Sequence, residues 1–87
     1  KLNTMATMKI YNVLTQYASH TSTGVTSYSS LEDALEDFKW SCKCVENNHN
    51  ERYTKTIYCD NNKYKRYEYV TDTSTITIQM VETLLNV

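Results

Sequence analysis

The sequence has no proline and only one glycine, Gly24, among its 87 residues. A chain with so little glycine cannot contain the glycine-rich loop that cradles phosphate groups in many nucleotide-binding proteins. Tight turns normally rely on these two residue types, so asparagine has to provide the turn chemistry in this chain. The composition therefore excludes a phosphate loop and predicts turns at the asparagine clusters.

Long apolar runs are also missing. The longest are a few residues, whereas a membrane-spanning helix needs roughly 20, and the N-terminus lacks the apolar segment of a signal peptide. A formal net charge of -1 gives no overall attraction to nucleic acid or to an anionic membrane. We therefore expect a soluble, cytoplasmic protein with no membrane partner. A hydrophobic content of 40% is enough for one domain with one modest core.

The three cysteines, Cys42, Cys44 and Cys59, cannot all pair within one chain, and we expect them to be reduced. Together with His49 they match a zinc ligand set in number but not in spacing. Cys42 and Cys44 would point about 200° apart around a helix, because each residue turns the helix by about 100°. We expect no metal and no cofactor.

The N-terminal part of the chain predicts a hairpin. Residues 1–7 have no clear period, and we interpret them as a flexible N-terminal segment or a vector remnant. Residues 8–87 are expected to form a single domain. Alternating side chains predict a strand over residues 8–17, and bulky side chains on both of its faces indicate a central strand. A short returning strand is predicted over residues 25–28.

A helix is predicted next. Ser30 is a good N-cap, and the helix is expected to run from residue 31 to about residue 45. Its apolar side recurs at helical spacing and would form one buried stripe. The stripe contains Leu31, Ala34, Leu35, Phe38, Ser41, Cys42 and Val45. The asparagines at positions 47, 48 and 50 are expected to end the helix, since asparagine competes with helical hydrogen bonds.

Three further strands are predicted over residues 53–59, 64–70 and 75–82, with turns at residues 60–63 and 72–74. The element order is then β-β-α-β-β-β. The simplest packing of these elements is a single small α+β domain, a mostly antiparallel sheet with one helix packed on one face.

Trp40, the only tryptophan, falls roughly opposite the apolar stripe of the predicted helix. Tryptophan is enriched at the centres of protein interfaces because it buries much apolar area and keeps a hydrogen-bond donor. The helix dipole explains acidic residues near the helix start, but it does not explain an outward tryptophan. Burial of Trp40 by the N-terminal segment or by a second copy stays open. The candidate partner-binding residues are Trp40, Glu32, Asp33, Glu36, Asp37 and Lys43.

A second candidate surface combines lysine and tyrosine on the strands that follow the helix. Aromatic rings beside cations on an open sheet can stack bases and neutralise phosphates. The candidate nucleic-acid-binding residues are Lys55, Lys63, Lys65, Tyr67 and Tyr69. Tyrosine is also an ordinary strand residue, and lysine protects sheet edges, so a purely structural role stays open.

Catalysis has little support in the sequence. A cysteine–histidine pair would need His20 or His49 beside a thiol in a cleft, and one small sheet with one helix offers little concavity. Both histidines fall in polar loops. We expect a protein that is not an enzyme, with no catalytic residues.

The strand that begins Met8-Lys9-Ile10-Tyr11 and the run GVTSYSSLEDAL, residues 24–35, resemble the strand, capped turn and helix entry of small bacteriophage accessory proteins. The resemblance covers less than half of the chain. It implies a host-takeover or anti-defence protein, the class that includes anti-CRISPR inhibitors, which act by binding and blocking a host protein. That class shares no common motif, so no functional residue is carried over.

The leading hypothesis is a non-catalytic, phage-encoded inhibitor that occludes a host defence protein through the acidic helix face around Trp40. The expected partner is a host protein with a basic, nucleic-acid-binding groove. One alternative is a small nucleic-acid-binding module that uses the tyrosine and lysine sheet face. The other is a homodimeric structural protein.

Overall fold

A computed structural model describes residues 6–18, 23–50 and 52–86 of the protein. Most of the predicted N-terminal segment of residues 1–7 lies outside the described residues, as does His20. The described elements are β1 (Thr7–Tyr17), β2 (Thr23–Tyr28), α1 (Leu31–Asn48), β3 (Thr54–Asp60), β4 (Tyr64–Val70) and β5 (Thr75–Asn86). The predicted element order is confirmed.

The strands form one five-stranded antiparallel sheet in the order β2-β1-β5-β4-β3. Its centre is the pairing of the first strand with the last, from Thr7 opposite Asn86 to Tyr17 opposite Ile76. β1 is therefore an interior strand, as predicted from the bulk on both of its faces. The β1–β2 hairpin and the meander of β3, β4 and β5 join along this pair of strands.

The hydrophobic core lies between α1 and one face of the sheet. Cross-strand register places Val13 opposite Met80 and Tyr69 opposite Ile76, so that the inward residues of three neighbouring strands lie side by side. The predicted helical stripe is confirmed. The buried core residues are Tyr11, Val13, Ala34, Phe38, Cys42, Val45, Tyr69, Ile76, Ile78 and Met80.

The helix is longer than the sequence predicts. α1 continues three residues past the predicted end near residue 45, and it ends at Asn48, within the predicted asparagine cluster, where Asn50 has a φ of 50°. Val45 is buried against the sheet, and the His49 N–H donates to the Val45 carbonyl at 3.2 Å. An asparagine costs a helix less than about 1 kcal/mol, and burial of a whole side chain outweighs that cost.

The bounds of four strands also differ from the sequence prediction, and β1 begins at Thr7 rather than at residue 8. β5 continues past residue 82 to Asn86, because residues 83–86 pair with the beginning of β1. β2 begins at Thr23, and β3 covers Thr54–Asp60 rather than residues 53–59. The extension of β5 comes from pairing with a strand distant in the sequence, which local alternation does not contain.

The start of α1 provides a stability test. Ser30 has extended φ and ψ, and its Oγ accepts a hydrogen bond from the Asp33 N–H at 3.3 Å. We expect Ser30→Ala to lower the free energy of unfolding by about 1 kcal/mol in urea denaturation, the usual loss of an N-cap. Ser29→Ala removes a neighbouring hydroxyl without touching the cap. Equal losses for the two variants would show that the cap does not stabilise the helix.

Candidate functional site

Trp40 lies on the solvent side of α1, with 66% of its surface exposed. The predicted placement opposite the buried stripe is therefore confirmed. Ala34 and Phe38 on the other side of the helix are buried against the sheet, so α1 cannot turn to hide the indole without exposing its core side.

Trp40 separates an acidic flank of the helix from a basic one. On one side a shallow cleft of about 350 Å³ is lined by Tyr28, Asp33, Glu36, Asp37 and Trp40. On the other side Trp40 and Glu36 border a cleft of about 270 Å³ together with two lysines, Lys39 and Lys43. Glu32 is exposed near the start of α1 and does not line the acidic cleft. The acidic face predicted around Trp40 thus lies mainly on one side of the indole, and Lys43 lies on the basic flank.

Asp37, which lines the acidic cleft, accepts two hydrogen bonds. The Tyr28 hydroxyl donates to Asp37 Oδ2 at 2.7 Å, and the Ser41 hydroxyl donates to Oδ1 at 3.2 Å. The hydrogen bond to Asp37, helped by burial, raises the pKa of the Tyr28 phenol. Asp37 therefore ties α1 to β2, whereas Asp33 and Glu36 are exposed to a partner. Sequence reasoning missed Tyr28, because its contact with the helix depends on the β1–β2 register.

The tyrosine and lysine surface is not an open sheet face. Lys65, Tyr67 and Tyr69 point to the face that α1 covers. Tyr69 has 0% exposure, and the Tyr67 ring meets Phe38 edge-on at 4.8 Å between centroids. Alternation along β4 correctly separates its two faces, but it does not say which face the helix covers. The expectation that Tyr69 is available to stack a base is wrong.

A network of a hydrogen bond and an ion pair connects β3 and β4 with the last part of α1, and it runs from the buried Tyr69 to the exposed Lys55. The Tyr69 hydroxyl donates to Glu46 Oε2 at 2.6 Å, and Lys55 Nζ lies 3.3 Å from the same oxygen. Lys55 Nζ also lies 5.0 Å from the centroid of the Tyr67 ring, within cation–π range. The hydrogen bond from Tyr69, with that from Lys55, lowers the pKa of Glu46, and burial raises the pKa of Tyr69 well above its ordinary value.

Lys65 is also engaged within the fold. Its ammonium pairs with Asp60 on the neighbouring strand, and this bond lowers the pKa of Asp60. Burial, with the Asp60 hydrogen bond, raises the pKa of Tyr67 to about 12. Lys63 is exposed in the turn between β3 and β4, where its N–H donates to Asn61 Oδ1 at 2.8 Å.

A groove of about 400 Å³ lies between α1 and the β3–β4 end of the sheet. Its rim carries four lysines from three elements, α1, β3 and β4, and its walls are mainly apolar. The lining residues are Leu35, Phe38, Lys39, Cys42, Lys43, Glu46, Lys55, Lys65 and Tyr67. Of the predicted nucleic-acid-binding residues, the groove thus brings together Lys55, Lys65 and Tyr67. It adds Lys39 and Lys43, which sequence reasoning did not combine with strand residues.

The three cysteine thiols lie in different environments. Cys42 is in the core, and burial raises its pKa, which lowers its reactivity as a nucleophile. Cys44 and Cys59 are half-buried on different elements. Within residues 6–18, 23–50 and 52–86, no group of three or more histidine, cysteine or acidic side chains is arranged to hold a metal ion.

Comparison with known proteins finds no matching family model, no similar curated protein and no similar solved structure. In the described part of the chain, no helix has both the length and the apolar character needed to cross a membrane.

The Glu46 network predicts a stability difference that depends on pH. The folded pKa of Glu46 is lowered, so its stabilisation is complete above the ordinary value near 4.5 and is lost as the pH falls through the folded value. We expect Glu46→Gln to lower the free energy of unfolding by about 1 kcal/mol at pH 7. The difference between variant and wild type should shrink in acid, as measured by urea denaturation across the pH range.

Glu36→Gln is the matched control, because Glu36 lies on the same helix and is exposed. It should change stability by less than about 0.5 kcal/mol. A Glu46→Gln deficit that grows below pH 4.5 would contradict the direction assigned to Glu46.

Proposed function

We propose that the protein is a non-catalytic binding protein that docks the acidic face around Trp40 onto a basic surface of another protein and blocks it by steric occlusion. The observation that supports this proposal is the 66% exposure of the only tryptophan, at the border of a cleft lined by carboxylates. Burying an exposed indole at an interface gives a large apolar gain, and its N–H can find a partner at the rim.

The rigidity of the face favours binding. α1 is capped by Ser30, packed through Phe38 and Val45, and tied to β2 through Asp37. Trp40 therefore projects from a fixed backbone, and little backbone order has to be acquired on docking. Preorganisation of this kind raises affinity because association loses less conformational entropy.

The charge of the cleft indicates the kind of partner. Asp33 and Glu36 are exposed beside Trp40, and a partner with lysine or arginine would complement them. Complementary charge accelerates encounter and selects between partners more than it adds affinity. Together with the resemblance to phage accessory proteins, this supports a host protein with a basic, nucleic-acid-binding groove as the target, reached in the host cytoplasm.

Truncation of the tryptophan tests the proposal. We expect Trp40→Ala to weaken partner binding by about 30-fold, since a hot-spot side chain contributes about 2 kcal/mol or more. The free energy of unfolding should change by less than about 0.5 kcal/mol, because the indole is exposed. The measurement is capture from nuclease-treated lysate, followed by titration of the captured protein. Leu84→Ala is the control, since Leu84 is 60% exposed on β5.

Three results would contradict this function. Trp40→Ala that unfolds the protein would show that the indole supports the fold. Equal loss of capture with Leu84→Ala would show that binding is not specific to the helix face. Wild type that associates with itself in sedimentation, and loses this association with Trp40→Ala, would identify the homodimeric structural protein instead.

The lysine-rimmed groove favours a second candidate function, the binding of nucleic acid. Lys55 and Lys65 are paired with Glu46 and Asp60, whereas Lys39 and Lys43 form no ion pair with the described residues. Exposed ammonium groups beside an apolar groove can neutralise phosphates of a single strand. The candidate residues Lys63 and Tyr69 lie outside the groove lining, so this function would depend on Lys39 and Lys43 rather than on the predicted sheet face.

Salt dependence distinguishes the second function from the first. If the groove binds single-stranded DNA, the double variant Lys39→Gln with Lys43→Gln should weaken binding, and the slope of log K against log salt should fall by about 1.4, or 0.7 for each lost phosphate contact. Fluorescence anisotropy with a labelled oligonucleotide measures both. The control is Lys9→Gln, because Lys9 is exposed on β1, away from the groove. An unchanged salt slope in the double variant would exclude the groove as the site.

A further inference from the structure

The two edges of the described sheet are β2 and β3. Each edge strand leaves one row of backbone N–H and C=O groups without a partner strand, and such a row can pair with another chain. Natural sheets usually block this pairing with charged side chains, proline or a β-bulge on the edge strand. The two edges of this sheet differ in how far they are blocked.

The β3 edge carries the usual protection. Lys55 and Asp60 place charges on the strand, and the register shifts between Ile57 and Cys59, which marks a bulge or irregularity. A bulge interrupts the regular row of backbone groups that a further strand would need. β3 is therefore poorly suited to strand addition.

The β2 edge lacks this protection. Its sequence, TGVTSY, contains no charged residue and no proline. Its pairing with β1 is regular from Thr23 opposite Gln16 to Tyr28 opposite Tyr11, without a register shift. Val25 is 55% exposed. Among the described residues, β2 is thus an edge strand with regular pairing to β1 and no neighbouring strand on its outer side.

The open edge ends at the acidic cleft. Tyr28, the last residue of β2, lines that cleft together with Asp33, Glu36 and Trp40. Tyr28 and Thr26 lie opposite the inward residues Tyr11 and Val13, so they face the α1 side of the sheet. Because side chains alternate along a strand, every second residue of a strand added to β2 would project to that same side, and those near Tyr28 would lie beside the carboxylates.

We propose that the partner inserts an extended segment, with lysine or arginine at alternate positions, as a sixth strand along β2. This inference rests on the proposed function and names its mode of recognition. Backbone hydrogen bonds to β2 would provide affinity, and the basic side chains beside Asp33 and Glu36 would provide specificity. An arginine at the end of the segment can also stack on the exposed Trp40 ring.

Charge argues against a second copy as the occupant of this edge. If β2 of another molecule paired with β2, the added strand would bring only uncharged side chains to the acidic cleft. In an antiparallel β2–β2 pair, the Tyr28 end of each strand lies beside the Thr23 end of the other, so the two acidic clefts stand at opposite ends and neither meets a basic side chain. A basic segment supplies the complementary charge.

A single charge on the open edge tests the proposal. Val25 lies opposite Leu14, on the sheet face away from α1, so Val25→Lys blocks strand addition and leaves the acidic cleft unchanged. Its exposure means that the fold should tolerate the change. Val25→Thr is the matched control, because threonine keeps the β-branched shape and adds no charge.

The probe is a random-sequence peptide library displayed against the wild-type protein. We expect enrichment of peptides that alternate lysine or arginine with β-branched residues. The enriched peptides should bind Val25→Lys about tenfold or more weakly than wild type in a titration followed by Trp40 fluorescence, and should bind Val25→Thr normally. Bound peptide should also slow amide hydrogen exchange in β2 (Thr23–Tyr28).

Strand addition at β2 is overturned by any of four results: no enrichment, enrichment of acidic peptides, binding that ignores Val25→Lys, or slowed exchange in β3 instead of β2. A dimer in sedimentation that Val25→Lys abolishes would also overturn it and assign the edge to a second copy. Failure of the proposed function gives a different result. Trp40→Ala that leaves lysate capture intact contradicts the proposed function and the inference that rests on it, whereas Val25→Lys that leaves capture intact contradicts only the added strand.

Discussion

The pairing of β1 with β5 is the contact on which the rest of the structure depends. It joins the first strand to the last along the whole of β1 and unites a hairpin with a three-stranded meander in one sheet. An isolated two-stranded hairpin such as β1–β2 is marginally stable at best in water. The register of the β1–β5 pair brings Val13 opposite Met80 and Tyr17 opposite Ile76, which creates the apolar face that the helix covers. A long-range pairing of this kind has a high entropic cost, and the core that it assembles offsets that cost.

The position of α1 on this face decides what the protein exposes. The helix packs over β1, β5 and β2, so Trp40 and the acidic residues point outward on the β2 side. On the other side the helix stands away from β3, and the gap is the groove with four lysines on its rim. One helix thus separates an acidic, aromatic surface from a basic groove, although the whole chain has a net charge of only -1. The net charge of the chain therefore does not describe its separate acidic and basic surfaces.

The acidic face and the open edge are parts of one surface, because Tyr28 belongs to both. Its hydroxyl bonds to Asp37 on the helix, and its backbone is the end of β2. Tyr28 therefore fixes the distance between the exposed indole and the sheet edge. A partner that used both would contact a rigid corner of the fold, where side-chain chemistry and backbone hydrogen bonds act together. The network of Tyr69, Glu46 and Lys55 connects the opposite end of α1 to the sheet, so the helix is fixed at both ends.

The sequence by itself determined the element order, the α+β class, the N-cap at Ser30 and the outward position of Trp40. Each of these follows from the local periodicity of side chains or from the residues of a single helical turn. Only the tertiary structure decided which face of β4 is covered, and it buried Tyr69 against an expectation of exposure. It also decided that α1 continues through Asn48, that Tyr28 bonds to Asp37, and that Lys39 and Lys43 share a groove with strand lysines. The physical reason is the same in each case. Periodicity gives the relative direction of side chains within one element, whereas the neighbour on each side depends on registers between residues far apart in the chain.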